Sequence, residues 1–491
     1  MIIQYPLGGG VDGTTPSALM KPGRLRIGIN VESKPGGGYK RVLGYAKFDS
    51  NAITGSGPIR GVHYFNGKVY AFRNATGNAT CVMWESTGSG WTAVKSGLTP
   101  NGEYRLVNYD FNGTEKMYGA SGVHQAFQWD GTTWTDISTG MVTDTPSHII
   151  AHKKHLFLSF GRSLQNSSLG APTSWSALTG ATEILLPNTI TGFSAMPNGS
   201  LAVYTPNSIH LLAGTSTADW VANNMVEYSN NAGALPGTIQ PMGSRIRFTD
   251  SRGVTDFSAS QDSSDFYESI ISHDMDKDIG NNWRYAIAST VVPSKSQYRL
   301  FFSNSQALIL TLNNDAVMIT RLLLPLIVRC VVNTENSSGT ELIYFGSDDG
   351  YIYQMESGNS FSGTAIAAYA ETALTNAGKR GVIKRWRRMR VNVGEVGNSA
   401  LTVKPKYFIG ADDIPLVSAL TPEFDATGNP LGSGATLGTT LLGATPIDEG
   451  DVDLAGHSEF ISFLFLSSST TTDPWEIDGI TIDFLEGRAR R

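Results

Sequence analysis

The chain has 491 residues, a formal net charge of −6 and only 16% Asp, Glu, Lys and Arg. That charged fraction lies below the roughly 25% of ordinary soluble domains and stands beside 40% hydrophobic residues, which excludes a disordered chain and a coiled coil. An acidic balance is also not that of a general nucleic-acid binder, and the 54 glycines, set in no fixed period, leave a large all-β protein with turns throughout.

Residues 1–54 read as an extended N-terminal arm. Gly8-Gly9-Gly10 and Gly36-Gly37-Gly38 disfavour a helix or a packed strand. Pro6, Pro16, Pro22 and Pro35 interrupt the segment further. Between them, Arg24-Leu25-Arg26-Ile27-Gly28-Ile29-Asn30 alternates like a half-buried strand. Met1 to Pro6 has no basic n-region and no apolar h-region, so no signal peptide is expected.

Residues 55–378 carry a regular pattern of short β-branched and aromatic runs separated by turn dipeptides. Ile59 to Tyr64, then Asn66-Gly67, then Lys68 to Phe72 is a strong hairpin signal. Cys81 to Glu85 and Trp91 to Val94 complete a group of four strands. Similar groups begin at Arg105, His148, Leu201, Arg245, Tyr285 and Leu342. Four strands recurring every 40–50 residues predict a β-propeller of five to seven blades. A pair of β-sandwiches is the competing architecture. The longest apolar run, Leu322 to Val328, is far short of the roughly 20 residues of a membrane helix, so no membrane insertion is expected.

Residues 379–491 change texture. Long strands at Trp386 to Val393, Leu401 to Ile409, Glu459 to Leu466 and Ile477 to Phe484 are separated by loops such as 425–450. They predict a C-terminal β-sandwich, ending in a loose or partner-bound basic tail, Glu486 to Arg491.

Enzyme motifs are missing from the sequence: no nucleophile elbow, zinc helix, paired C-x-x-C or phosphate loop occurs. No cofactor and no catalytic activity are expected. Asp274, Asp276 and Asp278 fit the first positions of a calcium loop, but Gly280 comes one place late and Tyr285 stands where Glu belongs. An acidic turn or helix start is the better reading. His152 and His155 flank Lys153-Lys154, as in a surface hairpin. Trp129 to Trp134 reads as a hairpin whose aromatics pack between blades. Cys81 and Cys330 lie in apolar runs and read as buried free thiols.

The one strong charge anomaly is Lys379 to Arg390, with seven basic residues in twelve. Strict alternation would put Lys384, Trp386, Arg388 and Arg390 on one strand face, and Arg385, Arg387 and Met389 on the other. Lys379, Arg380, Lys384, Arg385, Trp386, Arg387, Arg388 and Arg390 are therefore candidates for a subunit or DNA contact. Pairing with the chain's own carboxylates is the structural alternative.

Three stretches carry a resemblance. Asn30-Val31-Glu32 with Lys40-Arg41-Val42-Leu43-Gly44-Tyr45 resembles the N-terminal arm of tailed-phage tail proteins. Phe248 to Ala259 is similar to a propeller blade of such proteins. Gly346 to Gln354 followed by the Arg-rich Trp386 strand resembles their propeller-to-sandwich junction. The family is the podovirus tail hub or nozzle group, which includes packaged-DNA stabilisation proteins and, more distantly, the tail tubular B proteins. The resemblance implies a virion protein, synthesised in the host cytoplasm, that forms a homohexamer below the portal and adaptor proteins. It implies tail fibre, spike or needle partners, and a lumen that passes double-stranded DNA without reading its sequence. A hexamer would carry a formal charge of about −36, and an acidic lumen would repel phosphates. A carbohydrate-binding or glycan-hydrolysing virion propeller and a cellular protein-binding propeller remain the alternatives.

Overall fold

The computed structural model describes residues 1–214, 219–220, 225–259, 266–313, 316–393, 401–408 and 449–489. Ile409, most of the 425–450 loop and the terminal Arg490 and Arg491 lie outside these residues. The described chain is mostly β, and its only α-helix is Asp276–Asn282.

Six antiparallel sets of four consecutive strands follow one another, five as separate sheets and the sixth continuing into a larger one. They begin at Ser56–Phe65, Arg105–Asp110, His148–His152, Gly192–Ala195, Gln240–Met242 and Ala286–Val292. A seventh unit begins at Cys330–Glu335 and continues through Glu341–Gly346 and Ile352–Met355. Local chemistry explains the hairpins. Asn66 and Gly67 both hold positive φ, 47° and 78°, as a tight turn matching strand twist requires. In Asp130 to Thr133, the Asp130 carboxylate accepts the Thr132 and Thr133 amides at 2.9 and 2.7 Å, closing the turn without help from distant residues.

The first strands of these units neighbour one another in order, and Cys330–Glu335 returns to lie against Ser56–Phe65. The arrangement is a closed, propeller-like circle of small sheets. Apolar clusters fill the gaps between successive units. Phe72 stacks on Tyr104 at 3.8 Å between units one and two, and Tyr204 meets Phe248 at 5.1 Å between units four and five.

The arm is built into both halves of its own chain. Tyr45–Lys47 adds the fourth strand to unit seven, pairing with Ile352–Met355. Leu25–Ile29 lies between unit six, where Ile29 bridges Arg321, and Thr364–Thr372. Ile2–Pro6 pairs with Gly479–Ala489. A buried ion cluster locks this weave. Glu32 accepts from Lys295 at 2.7 Å and from Arg299 at 3.4 Å, and Glu356 receives the same two cations. Arm, unit six and the end of unit seven thus share one set of charges that must remain paired when buried.

Beyond the circle stand two layers. One runs Ile2–Pro6, Gly479–Ala489, Val382–Asn392, Glu449–Ser458. The other contains Leu25–Ile29, Thr364–Thr372, Phe460–Ser469 and Thr402–Phe408. Trp386, Met389, Val391, Ile482 and Phe484 from the first meet Ile461, Phe463 and Phe465 from the second in one core.

Candidate functional site

The basic strand Val382–Asn392 sits in the middle of the outer layer, between Gly479–Ala489 and Glu449–Ser458. Its register shifts against both neighbours between Trp386 and Arg388. This bulge overturns the expected division of faces. Lys384, Trp386, Met389 and Val391 point into the core, while Arg385, Arg387, Arg388 and Arg390 are exposed together. Against Gly479–Ala489 one extra residue at Arg387 lets two successive side chains share a face, while against Glu449–Ser458 the neighbouring strand carries the extra residue.

The two inward members are structural. The Lys384 ammonium is buried and donates to the carbonyls of Lys379, Val382 and Glu459 at 2.6, 3.0 and 3.3 Å. Burial holds its pKa below the usual lysine range. Trp386 Nε1 donates to Ser458 Oγ at 2.8 Å. Neither can reach a partner's phosphate.

The outward members form a mixed-charge surface. Arg388 meets Asp453 at 3.1 Å and Asp451 at 3.4 Å, and Arg390 meets Asp451 at 2.9 Å. Arg387 lies 3.8 Å from Asp483, and Lys379 lies 2.6 Å from Glu486. Arg380 and Arg385 are exposed and have no ion pair among the described residues. Opposite Arg385 stand His457 and the half-exposed Leu485. A row of arginines flanked by aspartates suits a protein surface with a matching pattern better than a continuous phosphate track.

The other sequence candidates have structural partners. Asp274 takes Arg24 at 2.8 Å and Asp278 takes Arg321 at 2.7 Å, in a helical segment rather than a metal loop. Among the described residues no group of three or more His, Cys, Asp and Glu is placed to hold a metal. His152 and His155 do flank a hairpin turn, with Lys153 and Lys154 at positive φ, but both imidazoles are buried rather than on the surface. His155 packs edge-on to Trp220 at 4.8 Å and bonds the Ser167 carbonyl at 2.6 Å. Trp134 stacks on Phe127 at 3.8 Å, and Trp129 meets Tyr70 of unit one at 6.2 Å.

The centre of the circle was not visible in the sequence. It holds a cavity of about 390 Å³ lined by first-strand or adjoining residues of all seven units, among them His63, Arg105, His148, Thr191, Gln240 and Asn333. Enclosure lowers the His63 pKa to about 4, against a bond to Asn108 Oδ1 at 2.8 Å. Burial and the nearby Arg105 charge lower His148 to about 3. Both imidazoles are therefore neutral near pH 7. The available signal was positional: each residue lies in or beside the opening strand of a repeat, and the blade register needed to see this is set only by the closed circle.

No protein-family model matches the chain, and no curated protein is significantly similar to it in sequence. No helix among the described residues is long and apolar enough to cross a membrane.

Proposed function

We propose that this chain is a structural protein of a tailed-phage virion, a tail hub or nozzle subunit without enzymatic activity. In this reading the seven units are the blades of a seven-bladed propeller and the two outer layers are a β-sandwich. Six copies form a ring below the portal and adaptor proteins, carry fibres, spikes or a needle, and let duplex DNA pass. The supporting observation is the order and interweaving of parts. An arm built into both the circle of sheets and the outer layers is followed by that circle and then by the charged outer sheet, the order that the resemblance implies. The axial cavity of one chain has the volume of a small-molecule site, so DNA passage in this reading runs through the assembly of chains. Arg380, Arg385 and the surface of Arg387, Arg388 and Arg390 with their aspartates serve as subunit contacts.

Mass photometry and negative-stain imaging of the purified full chain at increasing concentration test this. Closed rings are expected, and Arg385→Glu combined with Arg387→Glu should return them to monomers while leaving the melting temperature unchanged. A monomer at every concentration, also in the presence of portal and adaptor proteins, would count against the assignment.

A further inference from the structure

Arg105 opens the first strand of unit two, yet its guanidinium reaches across the circle. A Cβ built on Gly237, just before unit five, would stand 3.3 Å from Arg105 Nη2. Units two and five are as far apart as two members of the circle can be. The same charge acts on His148 in unit three and on Cys330 in unit seven. The guanidinium therefore stands close to the axis. Gly237 makes room for it: its φ is 78°, and a side chain would also meet the Ile287 carbonyl at 2.9 Å.

This cation is underused. Arg105 donates no hydrogen bond to a described residue, and its one ion-pair partner there is Glu103 at 3.6 Å, with a side chain 72% exposed. Five N–H donors in a planar fork are thus left for a ligand. No Asp or Glu lines the cavity, so nothing on the wall competes for the charge. Thr191, 7% exposed and on the same wall, has a buried hydroxyl with no partner. Each first strand stands at the end of its sheet, leaving one edge of backbone donors and acceptors turned from the ladder. The Gln240 and Asn333 amide nitrogens are engaged with the Ser289 and Val291 carbonyls, which fixes both side chains on the rim.

We infer that the axial cavity is a binding site for a small molecule bearing one oxyanion, a carboxylate or a phosphate on a polar body, with the Arg105 guanidinium as its anchor. The volume lies at the small end of the roughly 300–1,000 Å³ of ligand sites. One cation without lining carboxylates selects a single anionic group. Neutral imidazoles and side-chain amides suit a hydroxylated remainder.

Calorimetric titration of the full chain with D-glucuronate, inorganic phosphate and glucose tests the site. One or both anions should bind and glucose should not; glucuronate alone assigns a carboxylate ligand, and phosphate alone a phosphate ligand. Arg105→Gln should weaken the bound anion roughly tenfold to a hundredfold, and Arg105→Lys should fall between, since it keeps charge but loses the fork. Binding of neither anion at millimolar concentration, or equal binding to Arg105→Gln, would overturn the proposal. Should Arg105→Gln fail to fold, the wild-type His63 and His148 ring resonances decide it. They must shift as the anion is added, and unchanged resonances refute the site.

Discussion

Tyr45 stands directly opposite Met355 on neighbouring strands, so a residue of the arm completes the last sheet of the circle. Its ring is buried against Phe345, Tyr353 and Phe361, with centroids 5.3, 5.1 and 5.2 Å away. Tyr45→Ala removes this anchor and leaves a cavity among three aromatics. The expected loss is about 3–5 kcal/mol in urea unfolding. A loss below about 1 kcal/mol would mean that the circle closes without the arm.

Lys384 makes the opposite test from its exposed neighbours. Lys384→Ala leaves three partly buried carbonyls without their donor and a gap where the buried side chain lay, and should cost about 2–4 kcal/mol. It should leave any DNA or subunit affinity unchanged in whatever fraction folds. A stable Lys384→Ala protein with weakened assembly would place this lysine at a contact surface.

Arg388 illustrates why the outer charges add little to folding. Its partner Asp453 is 84% exposed, and water screens such a pair. Arg388→Ala should change stability by less than about 1 kcal/mol by thermal or chemical unfolding. A larger loss would show that the bulged pair supports the sheet itself.

Acid should destabilise the protein in two stages. Burial lowers the His63 and His152 pKa values to about 4 and that of His148 to about 3. The unfolded chain therefore binds more protons than the folded one once pH falls below about 6.5. Stability contributed by the neutral imidazoles is complete above that pH and declines below it, by up to about 1.4 kcal/mol per pH unit for each group. Glu356 follows: burial raises its pKa, but Arg299 and Lys295 prevail and hold it near 2. Its contribution is lost as pH falls from 4.5 towards that value. Melting temperatures measured from pH 8 down to about pH 4 should fall steadily below pH 6.5, and His148→Asn should flatten the first stage. A profile level from pH 8 to 5 contradicts the burial of these rings.

The repeating units were legible because their information is local. Asn66-Gly67 and Asp130 specify turns through their own φ values and side-chain bonds. The outer face of the basic strand was misread because alternation counts residues, and a single bulged residue at Arg387 restarts the count. The bulge is set by pairing with Gly479–Ala489 and Glu449–Ser458, which no window around Arg387 contains. The partners of the arm were hidden for the same reason: the polar–apolar pattern of Leu25–Ile29 announces a strand but not that Thr364–Thr372 lies beside it. Arg105 carried no signal at all, since a lone arginine opening a strand looks like a surface residue until the circle closes around it.

The weave of the arm also has a consequence in time. Tyr45 emerges early in synthesis but cannot pair until Met355 has followed it. Ile2 must wait longer still, for Asp483. At roughly 5–20 residues per second, these strands spend tens of seconds without their partners while the units between them form. The early strands of this chain therefore pair last, and a nascent chain stalled before residue 352 would hold a line of formed sheets that cannot yet close into a circle.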